Sequence, residues 1–516
     1  MNIIKYMFSI SCILYTLASC SDDNENFSHM EISDIEILGV EESYRKYSMQ
    51  DSLIIPITIR SGYDEEDLKY AWFIYKKNDK ESVDTISREK DLKYPITEEP
   101  SEYSVAVKVQ HAVNHYAVYA KTTLNVETAF SRGFYILKST PEGNTDIDFR
   151  AEDGKPGYDL LSKSLGAPLN GYPQTLAQMI NYPFVNKETN KRVYGYALGI
   201  TTEKDLCLME VKNMSLIHDR NTLFFGGENE NRGKPGRFAR GYLNEHYISA
   251  DGCYSISAGK NLFGTNLSTG RFPQPDPTQG GSKWIAFHNA PYNWGFLYWD
   301  EINRRFLSLD FYGNVSTFAG DEAEYQPNNI NGKVVFMGTT HFAEANDIYA
   351  VLQTPGNEKR SVYQLSYTRD DNPIKKVTIM EADSKFSQAD HYAICVHSAP
   401  ILYYIADNQL YYYSFVTETE APITTLQGLP VGEKINYVSN RFWKALRDVS
   451  FDYLVVGTTA GNGNYTLSMY NMIGGQPNGN PVIQFRGVGK IADVQYVSPL
   501  FNEIWDWDSS GYGLSY

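Results

Sequence analysis

Aromatic side chains close to amides and carboxylates are the residues of this chain best suited to bind a ligand. One segment combines Trp284, Tyr292 and Trp294 with loop-type residues, and the chain ends with Trp505 and Trp507 beside aspartates. Flat aromatic faces give apolar contact, while a few polar groups fix the orientation of a bound ring or extended chain. The pattern predicts recognition of sugar rings or peptides, with packing inside the fold as the competing interpretation.

Two further features could contribute to such a site. Trp443 lies in a segment, residues 440–448, whose composition predicts a short helix between repeats. Arg237 belongs to a glycine-rich stretch, residues 226–241, that holds four basic residues in an acidic protein. Because arginine forms bidentate pairs with carboxylates, Arg237 is a candidate to clamp a carboxylate or an acidic partner surface. An exposed connector is the alternative interpretation of this stretch.

Motifs of nucleophilic, zinc-dependent and nucleotide-dependent catalysis do not occur in the sequence. There is no Gly-x-Ser-x-Gly elbow, no His-Glu-x-x-His pair and no phosphate-binding glycine loop. The closest histidine grouping is Asp390, His391 and His397, and a straight strand would hold the two imidazoles about 20 Å apart. The acidic run at residues 64–67 predicts a solvated turn rather than a calcium loop. We therefore expect no metal and no cofactor.

A glycoside hydrolase or lyase is the catalytic alternative. Such an enzyme needs two carboxylates on either side of the scissile bond. Asp300 with Glu301, or Asp506 with Asp508, could supply them, but nothing in the sequence marks either pair. We therefore expect a protein that is not an enzyme and has no catalytic residues.

The first residues of the chain predict export and lipidation. A short apolar run, too short to span a bilayer, leads into the small residues that precede Cys20. Leu-Ala-Ser-Cys at this point resembles the lipobox of bacterial lipoproteins. The resemblance implies that residues 1–19 are a signal peptide and that Cys20 carries acyl chains such as palmitate, which anchor the protein to a membrane.

An acidic linker, residues 20–30, follows the lipidation motif. Its acidic residues Asp22, Asp23 and Glu25 resemble the signal that sends lipoproteins of Sus-type nutrient-uptake systems to the outer face of the outer membrane. A solvated linker is the alternative interpretation, since a short acidic tract is weak evidence alone. We expect a lipid-anchored protein of the cell outer membrane that faces the exterior.

Composition excludes some partners and limits disulfide formation. The formal net charge is −16, which argues against nucleic acid and against electrostatic binding to anionic lipid. After removal of the signal peptide and lipidation, Cys207, Cys253 and Cys395 remain, so at least one is unpaired. Cysteines inside apolar strands behave as small buried hydrophobic residues, which is what we expect here.

Residues 31–126 predict an immunoglobulin-like β-sandwich. Short alternating strands occur throughout, and Trp72 lies in an aromatic strand where a core tryptophan is expected. Residues 70–73, Tyr-Ala-Trp-Phe, and residues 103–109, Tyr-Ser-Val-Ala-Val-Lys-Val, resemble the PKD-like domains of bacterial surface lipoproteins. The Gly-Asp-Gly turn of typical PKD domains is missing, so the resemblance is to the looser PKD-like group.

Residues 133–516 repeat a short strand rich in Tyr, Leu, Val and Ile. The anchors of the repeat, one residue at the centre of each copy, are residues 135, 196, 247, 297, 349, 403 and 454. A period near fifty residues with several strands per repeat is typical of a β-propeller, and seven copies predict seven blades. Two packed sandwiches are the alternative. Besides residues 440–448, residues 173–181 have the composition of a short helix.

These expectations define an all-β protein with a PKD-like sandwich followed by a seven-bladed propeller. The PKD-like resemblance implies an accessory subunit of a SusC/SusD-type TonB-dependent importer, with a SusC-like transporter and a SusD-like lipoprotein as partners. Its ligand would be a peptide or an oligosaccharide, with a slight preference for peptide. A non-binding scaffold of the importer is the second alternative, beside the hydrolase or lyase. Tryptophans exposed around one opening would favour ligand capture over the scaffold.

Overall fold

The computed structural model describes most of the chain between residues 34 and 498. The described ranges are 34–77, 82–187, 190–225, 236–240, 244–257, 270–273, 275, 280, 282–290, 293–310, 313–319, 324–340, 347–367, 371–443 and 450–498. Contacts divide the chain into two compact units, Met1–Glu127 and Thr128–Tyr516. Within the described ranges, no helix has the length and apolar character that crossing a membrane requires.

The first unit is built from short antiparallel strands and one parallel pair. Its strands are β1 (Ile35–Leu38), β2 (Ser43–Tyr47), β3 (Ser52–Ile55), β4 (Thr58–Ser61), β5 (Leu68–Lys76), β6 (Asp84–Ser87), β7 (Leu92–Pro95), β8 (Ser101–His111) and β9 (Ala117–Glu127). A five-stranded sheet has the order β2-β9-β8-β5-β6, and β2 runs parallel to β9. The pairs β1–β4 and β3–β7 complete the unit.

Trp72 lies at the centre of the core of this unit, as its position in the sequence predicts. It is fully buried on β5 in one cluster with Leu53 of β3 and Val105 of β8, so the core joins the large sheet to a strand pair. Its indole Nε1 donates to the backbone oxygens of Glu89 and Lys90, at 3.1 and 3.2 Å. The acidic run forms an exposed 3₁₀ turn, Glu65–Asp67, which leads into β5.

The second unit consists of strands and, among the described residues, one short helix. In chain order its elements are β10 (Gly133–Ser139), β11 (Thr145–Ala151), β12 (Pro156–Gly157), α1 (Leu160–Leu165), β13 (Pro173–Val185), β14 (Arg192–Thr202), β15 (Leu206–Glu210), β16 (Leu216–Asp219), β17 (Gly236–Arg240), β18 (Asn244–Ser249), β19 (Gly252–Ser257), β20 (Ile285–Ala290), β21 (Asn293–Asp300), β22 (Arg305–Asp310), β23 (Val315–Thr317), β24 (Lys333–Thr340), β25 (Asp347–Gln353), β26 (Arg360–Leu365), β27 (Ile374–Met380), β28 (His391–Ile394), β29 (Ile401–Ala406), β30 (Gln409–Ser414), β31 (Thr419–Pro422), β32 (Lys434–Trp443), β33 (Phe451–Thr459), β34 (Asn464–Ile473), β35 (Gln476–Pro477), β36 (Ile483–Val488) and β37 (Lys490–Val497).

These strands form seven antiparallel sheets in the described part of the unit. Sheet 1 has the order β37-β10-β11-β12, and sheets 2 and 3 are β13 to β16 and β17 to β19. Sheets 4, 5 and 6 are β20 to β23, β24 to β27 and β28 to β31, and sheet 7 contains β32 to β36. Every predicted anchor lies in the second strand of its sheet: β10, β14, β18, β21, β25, β29 or β33.

The seven sheets close into a ring. Seven buried apolar clusters each join two consecutive sheets, including one between sheets 7 and 1. The inner strands are therefore covered on both faces, and β10 and β29 are buried along their whole length. Sheet 1 is closed by β37 from the far end of the chain, which pairs with β10. This is the predicted seven-bladed β-propeller.

The three cysteines of the propeller lie in these interfaces, as their apolar surroundings predict. Cys207, Cys253 and Cys395 are buried between sheets 1 and 2, 3 and 4, and 6 and 7. Burial is the largest cause that raises the pKa of the Cys207 thiol. A thiol kept protonated in this way is a poor nucleophile.

Both predicted helices are wrong. Residues 173–181 belong to β13, and residues 440–443 are the end of β32; residues 444–449 lie outside the described part of the chain. Both segments are innermost strands with neighbours on two sides. Strands covered on both faces lose the simple alternation of apolar and polar residues, so their pattern no longer identifies them as strands.

Candidate functional site

The first strand of each sheet, or β37 in sheet 1, lies innermost, and together these strands surround a cavity on the axis of the propeller. The axial cavity has a volume of about 510 Å³ and receives residues from six sheets and from the segment just before β20 of sheet 4. This volume falls in the usual range of small-molecule sites, about 300–1,000 Å³. It is therefore a candidate binding site.

Three cations on consecutive sheets form one wall of the axial cavity. Arg237 lies on β17, Lys283 lies just before β20, and Lys333 begins β24. Burial lowers the pKa of Lys283, and repulsion from Arg237 and Lys333 lowers it further against the attraction of Glu203. These cations are therefore close enough to interact. In a chain with a net charge of −16, their grouping creates a local field that attracts anions.

Lys283 is held at the cavity by a short anchored loop. Ser282 Oγ donates to the backbone oxygen of Trp299 at 3.1 Å, and Trp299 N donates to the backbone oxygen of Trp284 at 3.0 Å. Lys283 Nζ donates to Gln174 Oε1 on β13 at 2.9 Å and lies 5.0 Å from the centre of the Trp284 ring. This one described hydrogen bond uses one of three ammonium donors. Two donors remain for a ligand.

Trp284 is half-buried beside these cations. It packs on the apolar cluster between sheets 4 and 5 and also lines the axial cavity. Because it is fixed by packing, its exposed surface can contact a ligand with little loss of conformational entropy.

The opposite wall is formed by sheets 6, 7 and 1 and carries two carboxylates. Asp390 is exposed just before β28, and Asp493 lies on β37. Asp493 Oδ1 accepts from Arg441 at 2.9 Å, and its Oδ2 accepts from the backbone N of Leu176 at 3.1 Å. Asp493 therefore ties sheets 7, 1 and 2 together.

His391 and Asn440 also connect sheets at this wall. His391 Nε2 lies 3.0 Å from the backbone oxygen of Val438, to which it donates, and Asn440 Oδ1 accepts from Val396 N at 2.7 Å. Burial lowers the pKa of His391, against the opposing effects of its hydrogen bond and of Asp493. These polar groups are occupied in joining sheet 6 to sheet 7.

The arrangement can bind a ligand that carries opposite charges at its two ends. A carboxylate would be stabilised by the cationic wall, since hydrogen bonds between ionised groups are stronger than neutral ones. A cationic group would be stabilised by Asp390 on the other wall. In the described part of the chain, no group of three His, Cys, Asp or Glu side chains is placed to hold a metal ion.

Of the residues proposed from the sequence, Trp284 and Arg237 line the axial cavity. Trp443 is 1 % exposed and packs edge-on against Tyr496 in the cluster between sheets 7 and 1. Trp294 lies in β21, but its side chain is outside what the structure describes. Also outside the described residues are Cys20, Asp22, Asp23, Glu25, Tyr292, Trp505 and Trp507.

The carboxylates considered for hydrolysis do not form a described pair in the cavity. Asp300 is fully buried, accepts from the backbone N of Asn303 at 3.0 Å and pairs with Arg305 Nε at 3.0 Å. It therefore fixes the turn between β21 and β22, in which Glu301 is exposed. Asp506 and Asp508 lie outside the described residues.

Most of the residues that give the cavity its charge were not identified from the sequence. Lys283 precedes Trp284, which was proposed as a ligand-binding residue. A lysine next to this tryptophan is the one signal that could have identified Lys283. Lys333, Asp390 and Asp493 begin, precede or lie within strands that are far apart in the sequence. Only closure of the ring brings them together.

The fold is that of an all-β protein in which a seven-bladed propeller follows a smaller β domain. The PKD-like family model matches residues 20–173, which include the whole described part of the first unit and the start of the propeller. A search of the curated proteins found no match to the chain.

Several solved structures are similar to this chain at low identity. A quinoprotein alcohol dehydrogenase-like protein from Bacteroides thetaiotaomicron is 12% identical with a TM-score of 0.39, and the match covers 89% of this chain and 97% of that one. The WD40 domain of SCAP from fission yeast is 9% identical with a TM-score of 0.32, covering 63% and 74%. Cobalt-substituted Synechocystis ACO is 7% identical with a TM-score of 0.37, covering 90% and 96%. Such distant likenesses carry no inference about function.

Proposed function

We propose that this protein is a lipid-anchored accessory subunit of a SusC/SusD-type TonB-dependent importer, and that its axial cavity captures short peptides. The anchor and the surface location are supported by Cys20 and the acidic residues that follow it. The importer role is supported by the PKD-like match and by the resemblance of this domain to lipoproteins that accompany such importers.

The observation that carries peptide capture is the separation of charge across the axial cavity. Arg237, Lys283 and Lys333 face a carboxylate-bearing wall on which Asp390 has no described side-chain partner. A peptide has a carboxylate and an ammonium group at its ends, whereas a neutral oligosaccharide has neither. The half-buried Trp284 adds an apolar surface for a side chain. Peptide is therefore favoured over neutral oligosaccharide at this site.

Binding can be tested by calorimetry with trialanine and with its C-terminal amide. We expect trialanine to bind more tightly, because the amide lacks the charge that the cationic wall stabilises. Lys283→Gln should weaken trialanine binding by roughly tenfold or more, since a hydrogen bond to a charged group contributes about 1.5–3 kcal/mol. The same substitution should leave the amide almost unaffected.

Lys434→Gln is the matched control, because Lys434 is exposed on β32 and does not line the cavity. It should bind trialanine as the unmodified protein does. Equal affinity for trialanine and its amide, or equal weakening by both substitutions, would contradict recognition of a carboxylate by Lys283.

The importer association needs a separate experiment. Affinity purification of the lipidated protein from detergent-solubilised outer membranes, followed by mass spectrometry, should recover a TonB-dependent barrel and a SusD-like lipoprotein. Recovery of the protein alone, even after gentle cross-linking, would contradict the accessory role while leaving the binding experiment valid.

A further inference from the structure

A second cavity lies between sheets 7 and 1, where the ring closes. This seam groove has a volume of about 570 Å³, and the residues that characterise it are Lys138, Tyr158, Asp159, Glu433, Asn464 and Arg486. None of these residues lines the axial cavity. We propose that the seam groove binds a segment of a neutral oligosaccharide, independently of the function proposed for the axial cavity.

An aromatic platform is the first observation that supports this ligand. Tyr158 is 39% exposed and stacks on Phe485, with ring centres 5.4 Å apart and an interplanar angle of 24°. One face of the Tyr158 ring is therefore covered by Phe485, and the ring is held in place before any ligand arrives. An exposed flat apolar face suits the CH-bearing face of a sugar ring, and a preformed contact binds at low entropic cost.

The polar rim supplies both donors and acceptors. Arg486 is exposed, and its guanidinium has no described partner. Asn464 is exposed, and its side-chain amide has no described partner. Asp159 accepts from Lys138 Nζ at 2.8 Å through Oδ1. Amides, carboxylates and a guanidinium together match the paired hydroxyl groups of a sugar.

The charges of the groove are mixed in sign. Lys138 and Arg486 are positive, Asp159 and Glu433 are negative, and the buried Asp148 in the floor is paired with Lys138. The described lining therefore differs from the axial cavity, where three cations form one wall. A neutral ligand rich in hydroxyl groups can use both the donors and the acceptors of such a lining.

The floor of the groove is rigid. Tyr465 is buried and donates from its hydroxyl to Asp148 Oδ2 at 2.6 Å, while Lys138 Nζ lies 2.7 Å from Asp148 Oδ1. Gly487 lies so close that a Cβ at this position would be 2.5 Å from the Tyr465 ring and from Asp148. A larger residue at this position would therefore disturb the floor.

The test is native electrophoresis of the purified protein in gels that contain amylopectin, xyloglucan, galactomannan, arabinoxylan or dextran. We expect at least one polysaccharide to retard the protein. Tyr158→Ala should weaken that binding about tenfold or more, because a central aromatic contact commonly carries this much affinity. Tyr158→Phe should preserve it, since the ring and its stacking remain. Arg486→Ala should weaken it to a smaller extent.

Two variants control for general effects. Tyr194→Ala removes another exposed tyrosine, 59% exposed on β14 and outside the groove. Lys283→Gln changes the axial cavity alone. Both should be retarded as strongly as the unmodified protein, and circular dichroism should show that Tyr158→Ala is folded.

Three outcomes would overturn the proposal. They are the absence of retardation by every polysaccharide, unchanged retardation of Tyr158→Ala, and loss of retardation in Lys283→Gln. The last would place any saccharide in the axial cavity. Because peptide binding is measured separately with trialanine, failure of the seam groove and failure of the axial cavity are distinguishable.

Discussion

The two walls of the axial cavity use polar residues in different ways. On the side of sheets 6, 7 and 1, Arg441 is bound to Asp493 and Asn440 to the backbone of sheet 6. On the side of sheets 4 and 5, Lys283 has one described hydrogen bond, and Lys333 is exposed without a described side-chain partner. Polar groups whose hydrogen bonds are made within the protein stabilise the ring. Groups with unused hydrogen-bond donors can bind a ligand.

Burial of charge at the axis is therefore not itself a sign of function. Arg441 is more deeply buried than Lys283, yet its guanidinium is occupied by Asp493, Tyr437 and the backbone oxygen of Val494. Substitutions on the wall of sheets 6, 7 and 1 should therefore lower the stability of the protein. Substitutions on the wall of sheets 4 and 5 should weaken ligand binding.

The largest expected effect is on the stability of the wall formed by sheets 7 and 1. Arg441→Met removes the partner of Asp493 and should lower the free energy of unfolding by about 3–5 kcal/mol, the usual cost of breaking a buried ion pair. Urea denaturation measures this change. Lys434→Met, on the same strand but exposed, should change stability by less than about 0.5 kcal/mol. A similar loss of unfolding free energy in both variants would contradict a stabilising role of Arg441 in this wall.

The next largest effect is expected on the pH dependence of peptide affinity at the cationic wall. The pKa of Lys283 is lowered from 10.5, first by burial and then by Arg237 and Lys333. Lys283 therefore loses its charge at a lower pH than an ordinary lysine, and affinity for N-acetyl-trialanine should fall as pH rises toward 10.5. Acetylation removes the amino group that would otherwise titrate in the same range. Calorimetry across this range should show a flatter profile for Lys283→Gln; an identical profile would contradict the role of Lys283.

A smaller effect on stability is expected from His391. Its pKa is lowered from 6.5, so the unfolded chain takes up a proton first as pH falls. Stability should then be lost between pH 6.5 and the lower pKa of the folded state, by at most about 1.4 kcal/mol per pH unit. His391→Gln should remove this contribution to the slope in denaturation experiments. An unchanged slope would show that His391 does not titrate differently on folding.

The smallest effect is expected from the exposed member of the cationic wall. Lys333→Gln should weaken trialanine binding less than about fivefold, because exposed charges contribute about 0.2–1 kcal/mol. Added salt should remove most of this difference. A loss as large as that of Lys283→Gln would show that the two lysines contribute equally and that burial does not distinguish them.

Much of the fold could be predicted because the second strand of each sheet repeats. Residues 135 and 403 are both tyrosines in fully buried strands, and every anchor has a similar apolar neighbourhood. The innermost strands could not be identified in the same way. Residues 173–181 contain Ala, Gln and Met, which favour helices, but burial between neighbouring sheets outweighed this propensity.

The candidate site was only partly visible in the sequence for a related reason. Trp284 and Arg237 could be named because aromatic and basic residues in loops suggest recognition. Lys333 gave no local signal, and Asp390 was noted only in a grouping with two histidines. The significance of both residues depends on which strands meet at the axis. The mixture of charges in the seam groove likewise depends on two sheets from opposite ends of the propeller sequence.

The pairing of β37 with β10 has a consequence for how the chain is made. Synthesis runs from the first strand of the ring to the last, so β10 has an open edge until residues 490–497 have been added. Exposed strand edges can pair with other chains and promote aggregation. The edge of β10 is therefore open to such pairing until the last strand has been made, and a chain that stops before residue 490 would keep that edge permanently open.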